Sequence, residues 1–291
     1  MLLQQFINGI TIGSTYALVA IGFTMIFGVL ELTNFSNSSL YMFGAYMTWL
    51  LYGVGMSFFV AFALSVALTG LLGFSIDRFA LRLLRKRHAP KLSGLITTLG
   101  MSMVIDNAIM VFCGTDSKSF ENHLDFGKVY IGNAIISWTQ IIILIVGFSL
   151  MIALSILVYR TKIGKAMTAI AQNQDAAKLM GIDTNKVIAL TFVISGVLAC
   201  IAGTMVAMYY RSIETTMGSL IGTKIFAAAI LGGVGILPGA MVGGILLGIV
   251  ETMVSAYIST GYRDAISFTI LIVVLLFMPN GMFGKKAINK V

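Results

Sequence analysis

From Leu32 to Ile76 the chain carries no charged residue, and further uncharged apolar stretches occupy Ile141–Tyr159 and Val187–Tyr210. These runs constrain the fold more than any other feature. Crossing the hydrocarbon of a bilayer takes ~20 apolar residues. Only 10% of the 291 residues are charged, against roughly a quarter in a soluble domain. Within hydrocarbon every backbone polar group must be satisfied inside the protein, which leaves helices or closed barrels. Barrels are written as short alternating strands, whereas these runs are continuous. The expected fold is therefore all-α, a polytopic membrane helix bundle.

The expected spans lie near residues 8–30, 35–52, 57–76, 93–113, 138–159, 187–209, 223–236, 240–257 and 265–280. That is eight to ten transmembrane segments, with nine preferred. The piece at 223–236 is short and glycine-rich, so it reads as a half-helix or re-entrant segment and predicts a bundle with broken or re-entrant helices. The whole chain, 1–291, reads as one transmembrane domain. The opening MLLQQFINGITIG lacks a basic stretch and a small-residue cleavage site, so it is expected to lead into the first span rather than to be removed.

Charge sets the orientation. Arg78, Arg82, Arg85, Lys86, Arg87 and Lys91 form one basic cluster. Arg160, Lys162, Lys165, Lys178 and Lys186 form a second, and Lys285, Lys286 and Lys290 a third. With alternating spans these fall on one side, which the positive-inside rule makes cytoplasmic, together with the C-terminus. The other side holds Lys118, Lys128, Arg211, Lys224 and Arg263, offset by Asp116, Glu121, Asp125, Glu214 and Asp264. The net charge of +8 thus belongs to loops at a membrane and gives no reason to expect nucleic acid.

One polar island interrupts the apolar pattern, residues 160–186, RTKIGKAMTAIAQNQDAAKLMGIDTNK. Good helix formers dominate 164–180. Ala166, Ala169, Ile170 and Asn173 share a face at helical spacing. Gly181 follows a basic last turn as a C-cap would, and Asp183 can open the next helix. A polar, helix-prone hairpin on the basic side suits either a docking element for a soluble partner or an ordinary solvated connection.

Three further features stand inside the apolar region. Ala227–Ala240 contains Gly232, Gly233, Gly235, Pro238 and Gly239, and it reads either as a break lining a pathway or as a tight turn between close-packed helices. Leu32–Leu40 is a knot of amides and hydroxyls, in which Asn34 or Ser36 either caps the next helix or faces a path. Asp106 and Glu251 are ionisable residues within spans, which line a hydrated cavity or make an interhelical bond. No basic partner for either is evident at helical spacing, so proton coupling is not favoured. Cys113 and Cys200 are far apart and match neither a metal spacing nor a disulfide framework. His88 and His123 sit in separate loops, so neither catalytic residues nor a metal site is expected. Gly164-Lys165 and Gly284-Lys285 lack the rest of a phosphate-binding loop, so any ATP must be hydrolysed by another chain.

Three segments carry a family resemblance: the opening NGITIGSTYALVAIGFTMIFGVLELTNFSNSSLYMFGAY, the island from Gly164 to Ile182, and the run from Ala228 through Gly248 to Glu251. They resemble the integral membrane permease of branched-chain amino acid ABC importers, of the smaller, high-affinity H type. The chain departs from that pattern after Asn34-Phe35, where Ser36-Asn37-Ser38 replaces the family's usual Ala, then His or Gln, then Gly. The resemblance implies an ABC importer permease fold in a bacterial inner membrane. It also implies a second permease subunit of a different kind, two cytoplasmic ATPases that use the ATP, an extracytoplasmic binding protein, and no cofactor on this chain. It places ATPase coupling on Gly164, Lys165, Ala166, Ala169, Asp175, Ala176, Ala177, Met180 and Gly181. It places the translocation path at Asn34, Ser36, Asn37, Tyr41, Gly232, Gly233, Gly235, Pro238, Gly239 and Glu251. The alternatives are the same machinery carrying urea, short amides or another small polar solute, and a self-sufficient carrier driven by an ion gradient.

Overall fold

A computed structural model of the chain describes residues 2–87, 89–121, 127–131, 134–278 and 281–284. His88, His123, Asp125, Lys285, Lys286 and Lys290 lie outside the described residues. The described chain is nearly all helix: α1 (Leu2–Leu30), α2 (Ser36–Gly53), α3 (Phe58–Ser75), α4 (Arg82–Lys86), α5 (Lys91–Cys113), α6 (Trp138–Arg160), α7 (Lys162–Gln172), α8 (Gln174–Leu179), α9 (Thr184–Tyr210), α10 (Met217–Gly232), α11 (Leu237–Tyr257) and α12 (Arg263–Phe277). Among the described residues, 6 helices are long and apolar enough to cross a membrane, and α10 is a shorter apolar one. The helices α1, α2, α3, α5, α6, α9, α10, α11 and α12 fall on the expected spans.

Four local readings need correction. The basic stretch after residue 76 was expected as a loop, but α3 continues through a π-helical turn, Ile76–Leu81, into α4. The buried Asp77 takes the guanidinium of Arg85 at 2.7 Å, about two turns on, and this ties the π-helical turn down. The island does not form one helix over 164–180. Asn173 leaves helical geometry, and its side chain accepts from the backbone N–H groups of Asp175 and Ala176, starting α8 anew. The short span expected at 223–236 begins earlier, at Met217, and runs unbroken to Gly232. Finally, two small ribbons interrupt the helices. β1 (Lys118–Ser119) pairs antiparallel with β4 (Ser212–Ile213), and β2 (Lys128–Ile131) with β3 (Ala134–Ser137). All four strands lie at the end opposite the basic clusters.

α1 is the axis of the bundle. Ala17, Leu18, Val19, Ala20 and Ile21 are wholly enclosed. Lipid offers no hydrophobic drive between helices, so association rests on close contact and on satisfied polar groups. Glycines four residues apart, Gly9 and Gly13 in α1 and Gly244 and Gly248 in α11, supply the contact. Gly13 lies against the backbone of Ile245 in α11, and Gly244 against the backbone of Ala17. The same device joins α2 to α9, where Gly44 meets Cys200 and Gly203 meets Tyr41. Buried hydroxyls bond back to their own helix, as Thr48 to the Gly44 carbonyl at 2.9 Å and Thr69 to Ser65 at 2.7 Å. They therefore cost little in hydrocarbon. By contrast α5 and α6 turn most of their surface outward. Those faces are left for lipid or another subunit.

Candidate functional site

The polar residues of the bundle sort into three levels. The first lies toward the ribbon end. α10 is 16 residues long, or about 24 Å at 1.5 Å per residue, which is short of the ~30 Å of a bilayer core. Its start is inset, with Gly218 packed on Ser38 and Met42 of α2. The segment before it forms the rim of a cleft of about 350 Å³, whose walls include Tyr16, Tyr41, Tyr210, Glu214, Lys224 and Arg263.

Behind that cleft is a buried charge cluster. Glu251, 0% exposed, pairs with both Lys224 and Arg263 through the same oxygen. Lys224, 8% exposed, also reaches Asp264 at 3.0 Å and lies 5.7 Å over the ring of Tyr16. Arg263 donates to the hydroxyls of Tyr16 at 3.4 Å and Tyr210 at 3.2 Å. Two cations and two carboxylates thus meet where single charges would be costly. Of the two readings of Glu251, a hydrated cavity or an interhelical bond, the structure has the interhelical bond. The partners stand on other helices, Lys224 at a separation of 27 residues in sequence and Arg263 at the start of α12. A signal did exist: Lys224 is a lone charge in the apolar run IGTKIFAAAIL. Lys224 and Arg263 face the cleft, whereas Glu251 does not line it.

The second level is the polar knot, about two turns inside the basic end of the bundle, where the Phe35 N–H donates at 3.4 Å to Thr98 of α5, the helix that begins at Lys91. Asn34 accepts from the backbone N–H of Ser36 at 3.2 Å and from its hydroxyl at 2.6 Å, a local turn that starts α2. Asn37 does something different. Its amide donates to the Val19 carbonyl of α1 at 3.2 Å, and its oxygen accepts from Ser195 of α9 at 2.7 Å. Ser39 meets Ser102 of α5 at 2.7 Å, with Asp106 beside both. The rings of Phe23, Phe35 and Phe226 gather at this level, with centroids 6.1 and 6.3 Å apart. They leave a void of only about 10 Å³ beside Asn34 and Asn37. Tyr41 is therefore the expected path residue that reaches the open cleft, whereas Asn34, Ser36 and Asn37 are enclosed.

The third level is the basic end. Gly232, Gly233, Gly235, Pro238 and Gly239 form the tight turn between α10 and α11. Gly233 and Gly235 take φ of 107° and 86°, which a side chain would resist. Gly232 and Gly239 touch backbone to backbone, and Met282 donates to the Leu231 carbonyl at 2.9 Å. A small cavity of about 140 Å³ lies here, lined by Gly28 and Gly235 and by Met167, Thr168 and Ala171 of α7.

The hairpin α7–α8 packs across this end. Thr161 caps α7 by accepting from Gly164. Ile182 donates to Ala177 and Gly181 to Lys178, so Gly181, at φ 81°, closes α8 with paired end bonds. Asp183 then caps α9 by accepting from the backbone N–H of Lys186, and this bond and the Lys186 ammonium hold its carboxyl below the usual range. Gly164 and Ala177 are buried, and Ala166 and Ala169 are half-buried against the bundle. Lys165, Asp175, Ala176, Met180 and Gly181 are exposed. The apolar tip is Leu179 and Met180, 90% and 83% exposed. Leu179 has no polar face to excuse that exposure, and the sequence reading did not single it out.

The family described as the branched-chain amino acid transport system / permease component matches residues 5–275. The high-affinity branched-chain amino acid transport system permease protein BraD of Pseudomonas aeruginosa is 39% identical over 99% of this chain and 98% of its own. The corresponding LivH of Escherichia coli is 38% identical over 99% and 97%. The autoinducer 2 import system permease protein LsrC of Photorhabdus laumondii is more distant, at 27% over 77% and 68%. By this end-to-end match the chain belongs to the branched-chain amino acid transport permease family, the membrane subunits of transporters.

Proposed function

We propose that the chain is the membrane-spanning subunit of an ATP-driven importer that moves branched-chain or other hydrophobic amino acids. The end-to-end match to permeases of that substrate class carries the reading. The basic end faces the cytoplasm, because lysine and arginine are retained there. The cleft among Tyr16, Tyr41 and Lys224 then opens outward, where a binding protein would deliver its cargo. The hairpin α7–α8 is the coupling element, and its tip, Leu179 and Met180, docks on a cytoplasmic ATPase. Two ATPases, a second and different permease, and lipid against α5 and α6 complete the assembly. ATP is used by the partners, and this chain holds no cofactor. Closure of the ATPases would rock the paired permeases between outward and inward states around the path.

The test is co-purification and uptake by the whole importer in proteoliposomes. The Leu179→Asp/Met180→Asp variant should insert normally, lose the ATPase and lose uptake of leucine, isoleucine and valine. Retention of the ATPase would sink the docking assignment. ATP-driven uptake of urea or a sugar instead of these amino acids would keep the machinery and change the cargo. Uptake without any ATPase would favour the ion-driven carrier.

A further inference from the structure

We propose that the outward cleft is a receiving site for a zwitterion, an α-amino acid with an aliphatic side chain, and that its carboxylate competes with Glu251 for Lys224 and Arg263. The proposal rests on the importer reading above and names the site at which the cargo is first held.

Three observations carry it. The cleft presents charge of both signs from different elements: Lys224 from α10 and Arg263 from α12 on one side, Glu214 from the rim. Apart from Ser212 the rest of its wall is apolar or aromatic, with Val206, Met217 and Ile221 able to take an aliphatic side chain. Finally, the cations already hold a carboxylate, Glu251, from behind, and it uses one oxygen for both of them while its other oxygen is buried without a hydrogen bond. Lys224 and Arg263 are therefore held and oriented by a resident carboxylate that does not occupy the cleft itself. An incoming carboxylate meets preformed donors and has only to share or replace that partner. Arg263 is further held by the hydroxyls of Tyr16 and Tyr210, which fixes its plane at the cleft. The ammonium of the same solute would face Glu214, an exposed carboxylate that the buried cluster does not use. Sharing donors with Glu251 keeps the site weak, as a conduit that must release its cargo requires.

The test uses the complete importer, permeases and ATPases together, in nanodiscs without nucleotide or binding protein. Equilibrium binding of radiolabelled leucine is competed with leucine, leucinol, which lacks the carboxylate, and 4-methylpentanoate, which lacks the ammonium. Leucine should compete at least about tenfold better than either analogue, the loss expected for one charge-assisted contact. Glu214→Gln, at an exposed position, and Lys224→Met should each weaken leucine binding by about the same factor. Equal competition by leucinol, or leucine binding by Glu214→Gln equal to that of the unaltered importer, overturns the site. Uptake with binding protein and ATP, in the same preparation, separates the two claims. Normal leucine uptake by the unaltered importer with no saturable leucine binding overturns the site alone, and absence of any aliphatic amino acid uptake overturns both.

Discussion

Removing Glu251 should be the most damaging single change to the charge cluster, and the geometry sets its size. Glu251 is fully buried and is the shared partner of Lys224 and Arg263. Glu251→Leu leaves Lys224 with Asp264, which is half-exposed and lies 3.0 Å from it, and takes from Arg263 its buried carboxylate. Stranding a buried charge in this way costs roughly 3–5 kcal/mol. Lys224→Met is milder, because Glu251 keeps Arg263 and water can reach Asp264; a loss of about 1–3 kcal/mol follows. In the double variant both the anion and the more buried cation are gone. Arg263 retains the hydroxyls of Tyr16 and Tyr210 and some access to water, so the pair of changes should cost less than Glu251→Leu alone. Reversible unfolding of the permease in mixed micelles measures all four corners of the cycle, and the non-additive part is the interaction. A cost below about 1 kcal/mol for Glu251→Leu, or a double variant equal to the sum of the singles, would refute the reasoning.

Two other outcomes follow from packing and capping. A methyl group at Gly244 would strike the backbone of Ala17, whereas at Gly100 it would meet nothing within 4 Å. Gly244→Ala should therefore destabilise the bundle by about 1–3 kcal/mol, and Gly100→Ala should be neutral or stabilise by up to about 1 kcal/mol; equal effects in the same unfolding assay would remove the glycine contact as the cause. The Asp183 carboxyl is held below its usual range by the backbone N–H and the ammonium of Lys186. A lowered folded value means that its contribution is complete above the unfolded value, about 3.9, and is lost as pH falls through the folded one. Amide exchange at Lys186, corrected for intrinsic rate, should show fraying of the first turn of α9 on acidification, and Asp183→Asn should cap the helix without that pH dependence. The same acid profile in the variant would assign the fraying elsewhere.

The helices were legible because hydrocarbon leaves so few options. An uncharged run from Leu32 to Ile76 has to cross twice, and the only freedom is where it turns. Turns were legible where a residue type has a single use, as with Gly181 ending α8 and Asp183 starting α9. They were misread where two uses compete. Asn173 reads by its spacing as a helix-face residue, but an asparagine serves as well as a cap, and the restart of the helix at Gln174 selects the second. The stretch Ile76–Lys86 looked like a loop because its charges suit water. Helix persists there because Asp77, on the inner side, can neutralise Arg85 about two turns later.

The site was less legible, and for a different reason. Periodicity relates neighbours along one helix, whereas the residues that meet in the cleft belong to α1, α2, α9, α10 and α12. Glu251 could be named as expensive, and its neighbours at helical spacing could be searched, but Lys224 and Arg263 were counted by their charge with the residues of the side opposite the basic clusters. The rule that placed them there assumes that a basic residue seeks water. It fails when the residue is paid for by an anion that is equally unable to reach water. Each charge alone argued against its own position, and the two together make that position tolerable. A lone Lys in one apolar run and a lone Glu in another are therefore evidence for each other. By the same logic Asn37, an uncharged amide, carried no such warning; its bonds to Val19 and Ser195 on two other helices follow from tertiary packing and have no counterpart in local sequence.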